Sequence, residues 1–311
     1  MSTLLVTHEA CIAHNMGAMH PEQPARLKAV LQRLDKPEFA ALKRMLAPLA
    51  TEEQLARAHP ADFVAGLLAA FPTEGTLALD ADTIAMPATK EAALRAAGAV
   101  VAAVDAVAKG DASNAFCAVR PPGHHAELRQ PMGFCFFNSI AVGAYHAQKV
   151  HGFKRVAVVD FDVHHGNGTQ AIFEQDPTMF FASTHQFPLY PGTGARGERG
   201  VGNIVNAPLP SGAGSAEFRH AFQEKILPAL ADFQPDFLMI SAGFDAHADD
   251  PLASMMLYEP DYAWVTRELL RIADYSCGGR VVSALEGGYD ITALAESAAA
   301  HVKALMDGAP N

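Results

Sequence analysis

Cysteine is scarce in this chain of 311 residues, and the four present (Cys11, Cys117, Cys135, Cys277) form no Cys-x-x-Cys pair. That spacing excludes a cysteine-ligated zinc site, and a chain of this size does not depend on a disulfide framework. Buried, reduced thiols in a cytoplasmic protein are the expectation. Positive charge is also in short supply: 23 Lys and Arg stand against 34 Asp and Glu, a formal net charge of −11. A nucleic-acid ligand requires a basic face and is not expected; the acidic balance suits cationic partners such as lysine side chains or polyamines. Long apolar runs are missing too. The longest, around Ala96 to Ala108, is Ala-rich and interrupted by Asp105, too brief and too polar to span a bilayer. Residues Met1 to Ala10 carry Thr7, His8 and Glu9 where a signal peptide needs an apolar centre. No membrane association is expected.

What the chain does have is core-forming material, half of its residues being hydrophobic and 18% charged. With no repeat, low-complexity tract or long linker to divide it, residues 1–311 read as a single α/β domain. Helical periodicity predicts helices over 25–34, 51–59, 90–109, 139–150, 215–233, 261–275 and 291–306. Short β-branched or aromatic runs predict strands over 4–7, 115–119, 156–160, 179–183, 237–241 and 281–285. Such alternation predicts a parallel sheet with helices on both faces. Five of these strands run straight into polar clusters: Arg120-Pro-Pro-Gly-His-His125, Asp160 to Gly168, Thr184-His185, Ala242-Gly-Phe-Asp245 and Glu286-Gly-Gly-Tyr289. Ligands of open parallel sheets bind beyond the carboxyl ends of the strands, so these distant segments are expected to share one crevice.

Within Asp160-Phe-Asp-Val-His-His-Gly-Asn-Gly168, residues two apart on an extended strand end point the same way. Asp162 and His164 then offer a carboxylate and an imidazole to one point, with Asp245 as a third ligand from another strand. An Asp/His/Asp set with an open position suits catalytic zinc. Taken alone, an Asp-x-His reads more naturally as loop-capping side chains. The pair His124-His125 follows a Pro-Pro-Gly turn and has the chemistry of a general base and acid, or of a surface pair. Asp160 and Asn167 are available to orient the two imidazoles. Tyr289, after Gly287 and Gly288, can donate to an oxyanion or pack in a loop. Aromatic residues in 133–137 and 187–191 either line a slot for an alkyl chain or fill the core. His59, His146, His151, His220 and His301 fall in helical or surface contexts, where no chemistry is expected.

Together the segments His20-Pro-Glu22 with Arg26, Arg120-Pro-Pro-Gly-His-His-Ala126, Gly133-Phe-Cys-Phe-Phe-Asn138, Asp160 to Thr169, Ser241-Ala-Gly-Phe-Asp245 and Glu286-Gly-Gly-Tyr289 resemble the histone deacetylase superfamily, in particular its class II branch and bacterial amidohydrolase members. They occur in family order over almost the whole chain. The resemblance implies an arginase/deacetylase α/β fold, three layers around a mostly parallel sheet of about eight strands. It implies zinc on Asp162, His164 and Asp245, His125 as general base and acid, His124 as its electrostatic partner, Asp160 and Asn167 as their orienting groups, and Tyr289 as the transition-state tyrosine. It implies a structural potassium ion on Asp160, Asp162, His164, Ser183 and Thr184. Gly133 with Phe134, together with Tyr190, matches the walls of an acyl-lysine tunnel, although phenylalanine is usual where this chain has Tyr190. The implied activity is zinc-dependent hydrolysis of acetyl-lysine, in a peptide or a similar small acylated amine, to acetate and free amine. Homo-oligomers are implied by the habit of bacterial members.

Three other readings compete. A dimanganese arginase-like site needs further carboxylates where this chain has Gly166 and His247. An acetylpolyamine amidohydrolase carries an acidic gatekeeper at the position matched by Leu252, with Asp249 and Asp250 nearby. A silent acyl-binding protein would have lost Tyr289, His125 or a zinc ligand, and none is lost.

Overall fold

The computed structural model describes residues 2–309. Ten strands are formed: β1 Thr3–Thr7, β2 Lys43–Leu46, β3 Leu77–Ala78, β4 Ile84–Ala85, β5 Asn114–Cys117, β6 Val156–Asp160, β7 Met179–Gln186, β8 Ile204–Leu209, β9 Phe237–Ala242 and β10 Val281–Leu285. Eight of them make one sheet in the order β2-β1-β5-β10-β9-β6-β7-β8, parallel throughout. Residues such as Val156-Ala-Val-Val-Asp160 and Phe237-Leu-Met-Ile-Ser-Ala242 are buried along their whole length, as continuous apolar strands covered on both faces must be. The edge β2 is exposed at every residue and begins Lys43-Arg44, charges that discourage pairing with another chain. At the opposite edge, Pro208 sits within β8, tolerable where no further strand needs its missing N–H.

Helices flank the sheet in two groups. Thr89–Lys109 packs on Ser139–His151, while Pro24–Leu34 and Glu259–Cys277 each pack on Ile291–Asp307. The predicted helix over 215–233 is present with an interruption: Ser215–Ala221, a π-helical turn Phe222–Ile226, then Leu227–Phe233. Pro228 follows the turn and has no N–H for the helical ladder, a local reason for the wider winding. The stretch over 51–59 is helical at Glu52–Leu55 alone. Helices Ala61–Ala70 and Asn167–Phe173 add to the expected set, as do the antiparallel pair β3 and β4, whose connection carries Asp80 to Thr83 toward the crevice. Among the described residues no helix is long and apolar enough to cross a membrane.

Candidate active site

Strands β5, β10, β9, β6 and β7 are neighbours, and their carboxyl ends release the five polar segments side by side. After β6 the chain builds β7 and β8 on one flank, then returns to place β9 and β10 on the other. That reversal opens the crevice.

At its floor lie Asp162, His164 and Asp245, all buried, with one donor atom of each within 4.8 Å of the others. His164 Nδ1 stands 3.2 Å from Asp162 Oδ1 and 3.1 Å from Asp245 Oδ2. The remaining carboxylate oxygens are held by backbone: Gly287 N–H donates to Asp162 Oδ2 at 2.8 Å and Val163 N–H to Asp245 Oδ1 at 2.8 Å. Both carboxylates are packed against glycine. A Cβ on Gly243 would collide with Asp162 Oδ2, and one on Gly287 with Asp245 Oδ2. Burial opposes a charge on His164, yet its hydrogen bonds with Asp162 and Asp245 and their negative charge raise it to about 10. Two dry carboxylates converging on one imidazole favour a cation at that point. The donor set of two carboxylate oxygens and one nitrogen fits a divalent ion with a position left open.

His124 and His125 pack with ring centroids 4.0 Å apart but have different partners. His124 Nδ1 lies 2.9 Å from Asp160 Oδ2 and its Nε2 3.8 Å from Asp162 Oδ2. Burial opposes its charge, but the carboxylates of Asp160, Asp162 and Glu286 hold it well above the usual imidazole range. His125 Nδ1 lies 2.8 Å from Asn167 Oδ1. The Asn167 Nδ2 donates to Glu127 Oε1 at 2.8 Å, so the amide presents its oxygen to His125. Nδ1 therefore carries the hydrogen and Nε2 keeps its lone pair. Burial, then the positive charges of His124 and His164, push His125 well below the usual imidazole range. Two adjacent histidines are thus driven to opposite protonation states, the pattern that separates acid–base roles in hydrolytic sites.

Tyr289 is buried at the crevice wall, its phenol pushed well above 10 chiefly by burial. The glycine turn before it is not free: Arg26 donates from Nε to Gly288 O and from Nη2 to Glu286 O, and its guanidinium lies 4.7 Å from the Tyr289 ring centroid. Arg26 is itself paired with Glu22, which also takes Arg120, all three fully buried. Charge inside a core persists when paired and hydrogen-bonded in this way. Glu286 serves the opposite loop, accepting from Gly123 N–H at 2.7 Å and His124 N–H at 3.2 Å.

A cavity of about 260 Å3 opens above these groups, lined by His125, His164, Tyr289, Gly133, Phe134, Leu189, Tyr190, Leu252, Pro21 and Asp82. Gly133 and Phe134 both have positive φ, +55° and +69°. A side chain on Gly133 would run into the His125 ring, and Phe134 in this conformation carries backbone strain of about 1–3 kcal/mol. Thr83 Oγ1 accepts from Phe134 N–H at 3.0 Å and fixes that peptide. The Tyr190 ring stands 5.2 Å from His125. Ser183 pairs in register with Asp160 across β6 and β7, and the neighbouring Thr184 Oγ1 is buried with no hydrogen-bond partner among the described residues.

Some expectations need correction. His59 lies outside the helix Glu52–Leu55 and is buried rather than superficial, whereas His146 and His301 sit in helices as expected, both buried. His146 and His151 converge on Asp105, away from the crevice. Asp249 is exposed and outside the cavity lining. Sequence reasoning also missed Glu127, Asp82 and the role of Glu286. Their contacts join loops distant in sequence, and no local spacing announces them. A Cβ at Gly166 would strike Asp160.

Comparison with known proteins gives one consistent answer. A family profile described as the histone deacetylase domain matches residues 20–305. The chain is 39% identical to "Histone deacetylase 14, chloroplastic" of Arabidopsis thaliana, over 97% of this chain and 76% of that one. It is 41% identical to "Histone deacetylase-like amidohydrolase" of Pseudomonas aeruginosa, over 88% and 73% of the two chains. It is 38% identical to "Probable deacetylase" of Archaeoglobus fulgidus, over 94% and 82%. The crystal structure of the HDA15 HD domain superposes with a TM-score of 0.92 at 36% identity, covering 98% of this chain and 88% of that one.

Proposed function

Because the chain belongs to the histone deacetylase family, we propose that it is a zinc-dependent amidohydrolase releasing acetate from acetyl-lysine or a similar N-acylated amine. The observation that carries this reading is the convergence of Asp162, His164 and Asp245 beneath His125 in one cavity. Those three residues would hold the zinc. When bound, it supplies a Lewis acid to the amide carbonyl and to water.

The chain's own groups account for the proton transfers. His125, neutral with Nε2 unprotonated, takes a proton from the attacking water and returns it to the amine nitrogen as the C–N bond breaks. His124, held cationic among three carboxylates, offsets the negative charge gathering at the reacting carbon. The Tyr289 hydroxyl, kept protonated by burial, donates to the former carbonyl oxygen; one such donor is worth about 3–4 kcal/mol in other enzymes. Asp160 and Asn167 hold the imidazoles in register. Phe134 and Tyr190 flank the alkyl arm of the substrate, and Leu252 and Gly133 shape the wall beside them. Asp160, Asp162, His164, Ser183 and Thr184 would hold a potassium ion, a reading supported by the unpartnered Thr184 hydroxyl. Four buried free thiols accord with a reducing, cytoplasmic setting.

The Asp82 carboxylate at the cavity rim favours a substrate with N–H groups or positive charge near the scissile amide. A peptide backbone meets that requirement, and so does an acetylated polyamine, which is the second reading. Leu252 on the wall supports the peptide. The test is acetate release by the zinc-loaded protein from an acetyl-lysine peptide and from acetylated putrescine and spermidine, with and without chelator. Peptide turnover abolished by chelation is expected. Selective polyamine turnover would transfer the reading to the second substrate class, and release that survives full metal removal would contradict the mechanism.

A further inference from the structure

Asp250 lies in the loop after β9, its side chain buried although it forms no ion pair among the described residues. Its Oδ2 accepts from Tyr289 N–H at 2.7 Å and more weakly from Asp290 N–H at 3.4 Å. Its Oδ1 accepts from Leu252 N–H at 3.0 Å. The neighbouring charge is Asp245, of the same sign, and burial with that repulsion pushes the Asp250 carboxyl up to about 7. A dry carboxylate without a cation is costly, and a neutral side chain of the same shape would relieve the cost. What an amide could not supply is acceptors on both arms, because every partner of this side chain is an N–H donor.

The geometry points to Asp250 as the positioning residue for Tyr289, its carboxylate locking the height of the phenol against the Leu252 wall. This rests on the role given to Tyr289 above. The turn needs such a lock. Gly287 lets the backbone pass close to the carboxylates below and Gly288 takes φ +119°, but neither supplies stiffness of its own. Arg26 grips the carbonyl side of the turn at Glu286 and Gly288, and Asp250 grips the N–H side at Tyr289 and Asp290. Leu252 hangs from the other arm of the same carboxylate, so wall and phenol are set from one atom group. Asp250 touches no substrate in this account and acts through Tyr289.

The experiment is a double-mutant cycle in the zinc-loaded full chain, reading kcat, KM and zinc content on an acetyl-lysine peptide for Asp250→Asn, Tyr289→Phe and the pair. Asp250→Asn is expected to lower kcat about 10-fold, with KM and zinc content within about 2-fold of the parent. In the Tyr289→Phe background the same change is expected to cost less than about 2-fold, because the group it positions is already gone. Multiplicative losses in the pair would overturn the proposal, as would a raised KM with kcat unchanged, which would leave Asp250 serving Leu252 alone. Should the Asn variant yield no folded protein, Asp250→Glu, which keeps the charge on a longer arm, is read through the same cycle. Full activity of Tyr289→Phe by itself would remove Tyr289 from the mechanism and this proposal with it. A slow Tyr289→Phe with an additive cycle would overturn the Asp250 assignment alone.

Discussion

Among the described residues two groups of one type occur: Asp162, His164 and Asp245 at the sheet's carboxyl edge, and Asp105, His146 and His151 between two helices. Both bring three metal-binding side chains within 4.8 Å, yet they differ in how the donors face. A tetrahedral ion with bonds of about 2.0–2.1 Å spreads its donors about 3.3 Å apart. His164 Nδ1 stands 3.2 and 3.1 Å from its two carboxylates, near that spacing. In the second group the two Nε2 atoms fall on a single oxygen, Asp105 Oδ1, at 2.9 and 2.6 Å, so the three donors do not surround a common point. The Arg57 guanidinium donates to His146 Nδ1. That nitrogen must then carry the lone pair, and Nε2 the hydrogen it gives to Asp105. A metal on Nε2 would need the opposite tautomer. Residue types and proximity therefore do not define a metal centre; donors aimed at a common point, with their outer lone pairs met by backbone, do.

The contrast is sharpest in turnover. His125→Ala is expected to lower kcat by about 10²–10⁴-fold, while His146→Ala leaves it within about 2-fold; equal losses in steady-state assays would erase the distinction. Gly243→Ala pushes a methyl into Asp162 and should weaken zinc binding about 10–100-fold, read by chelator competition. Tyr289→Phe should reduce kcat at least about 10-fold with metal retained. The smallest effect belongs to the second group. Burial disfavours the Asp105 charge, but His146, His151 and Lys109 hold its carboxyl below the ordinary 3.8. A depressed folded value means that the stabilisation is present above the unfolded value and is lost as pH falls through the folded one. Asp105→Asn should thus cost about 1 kcal/mol near neutrality, modest because water screens this half-buried pair. Melting curves of variant and parent should converge on acidification below 3.8. A difference that persists in acid would show that the charge is not the cause.

Much of the fold is legible in the sequence because the central strands are buried on both faces and read as unbroken apolar runs. The edges are not: Lys43-Arg44 in β2 and Asn206 with Pro208 in β8 break the pattern because one side of each strand meets no partner. The helix Ala61–Ala70 has apolar residues at 63, 64, 67 and 68 and lies within reach of periodicity alone. At the site, spacing along one strand end pairs Asp162 with His164, while the roles expected of Asp245 and the histidine pair come from the family resemblance; the structure brings all five to one crevice. Glu127 meets Asn167, the Asp82 carbonyl meets His20, Glu286 meets Gly123 and Asp250 meets Tyr289 across 40, 62, 163 and 39 positions. Only the folded chain brings these together.

Asp162, His164 and Asp245 are expected to hold a metal ion, and Asp105, His146 and His151 are not. Zinc counted by elemental analysis on the purified parent, Asp245→Ala and Asp105→Ala tests this directly. The account predicts one equivalent in the parent, one in Asp105→Ala and none in Asp245→Ala; a full equivalent retained by Asp245→Ala, or one lost with Asp105, would contradict it.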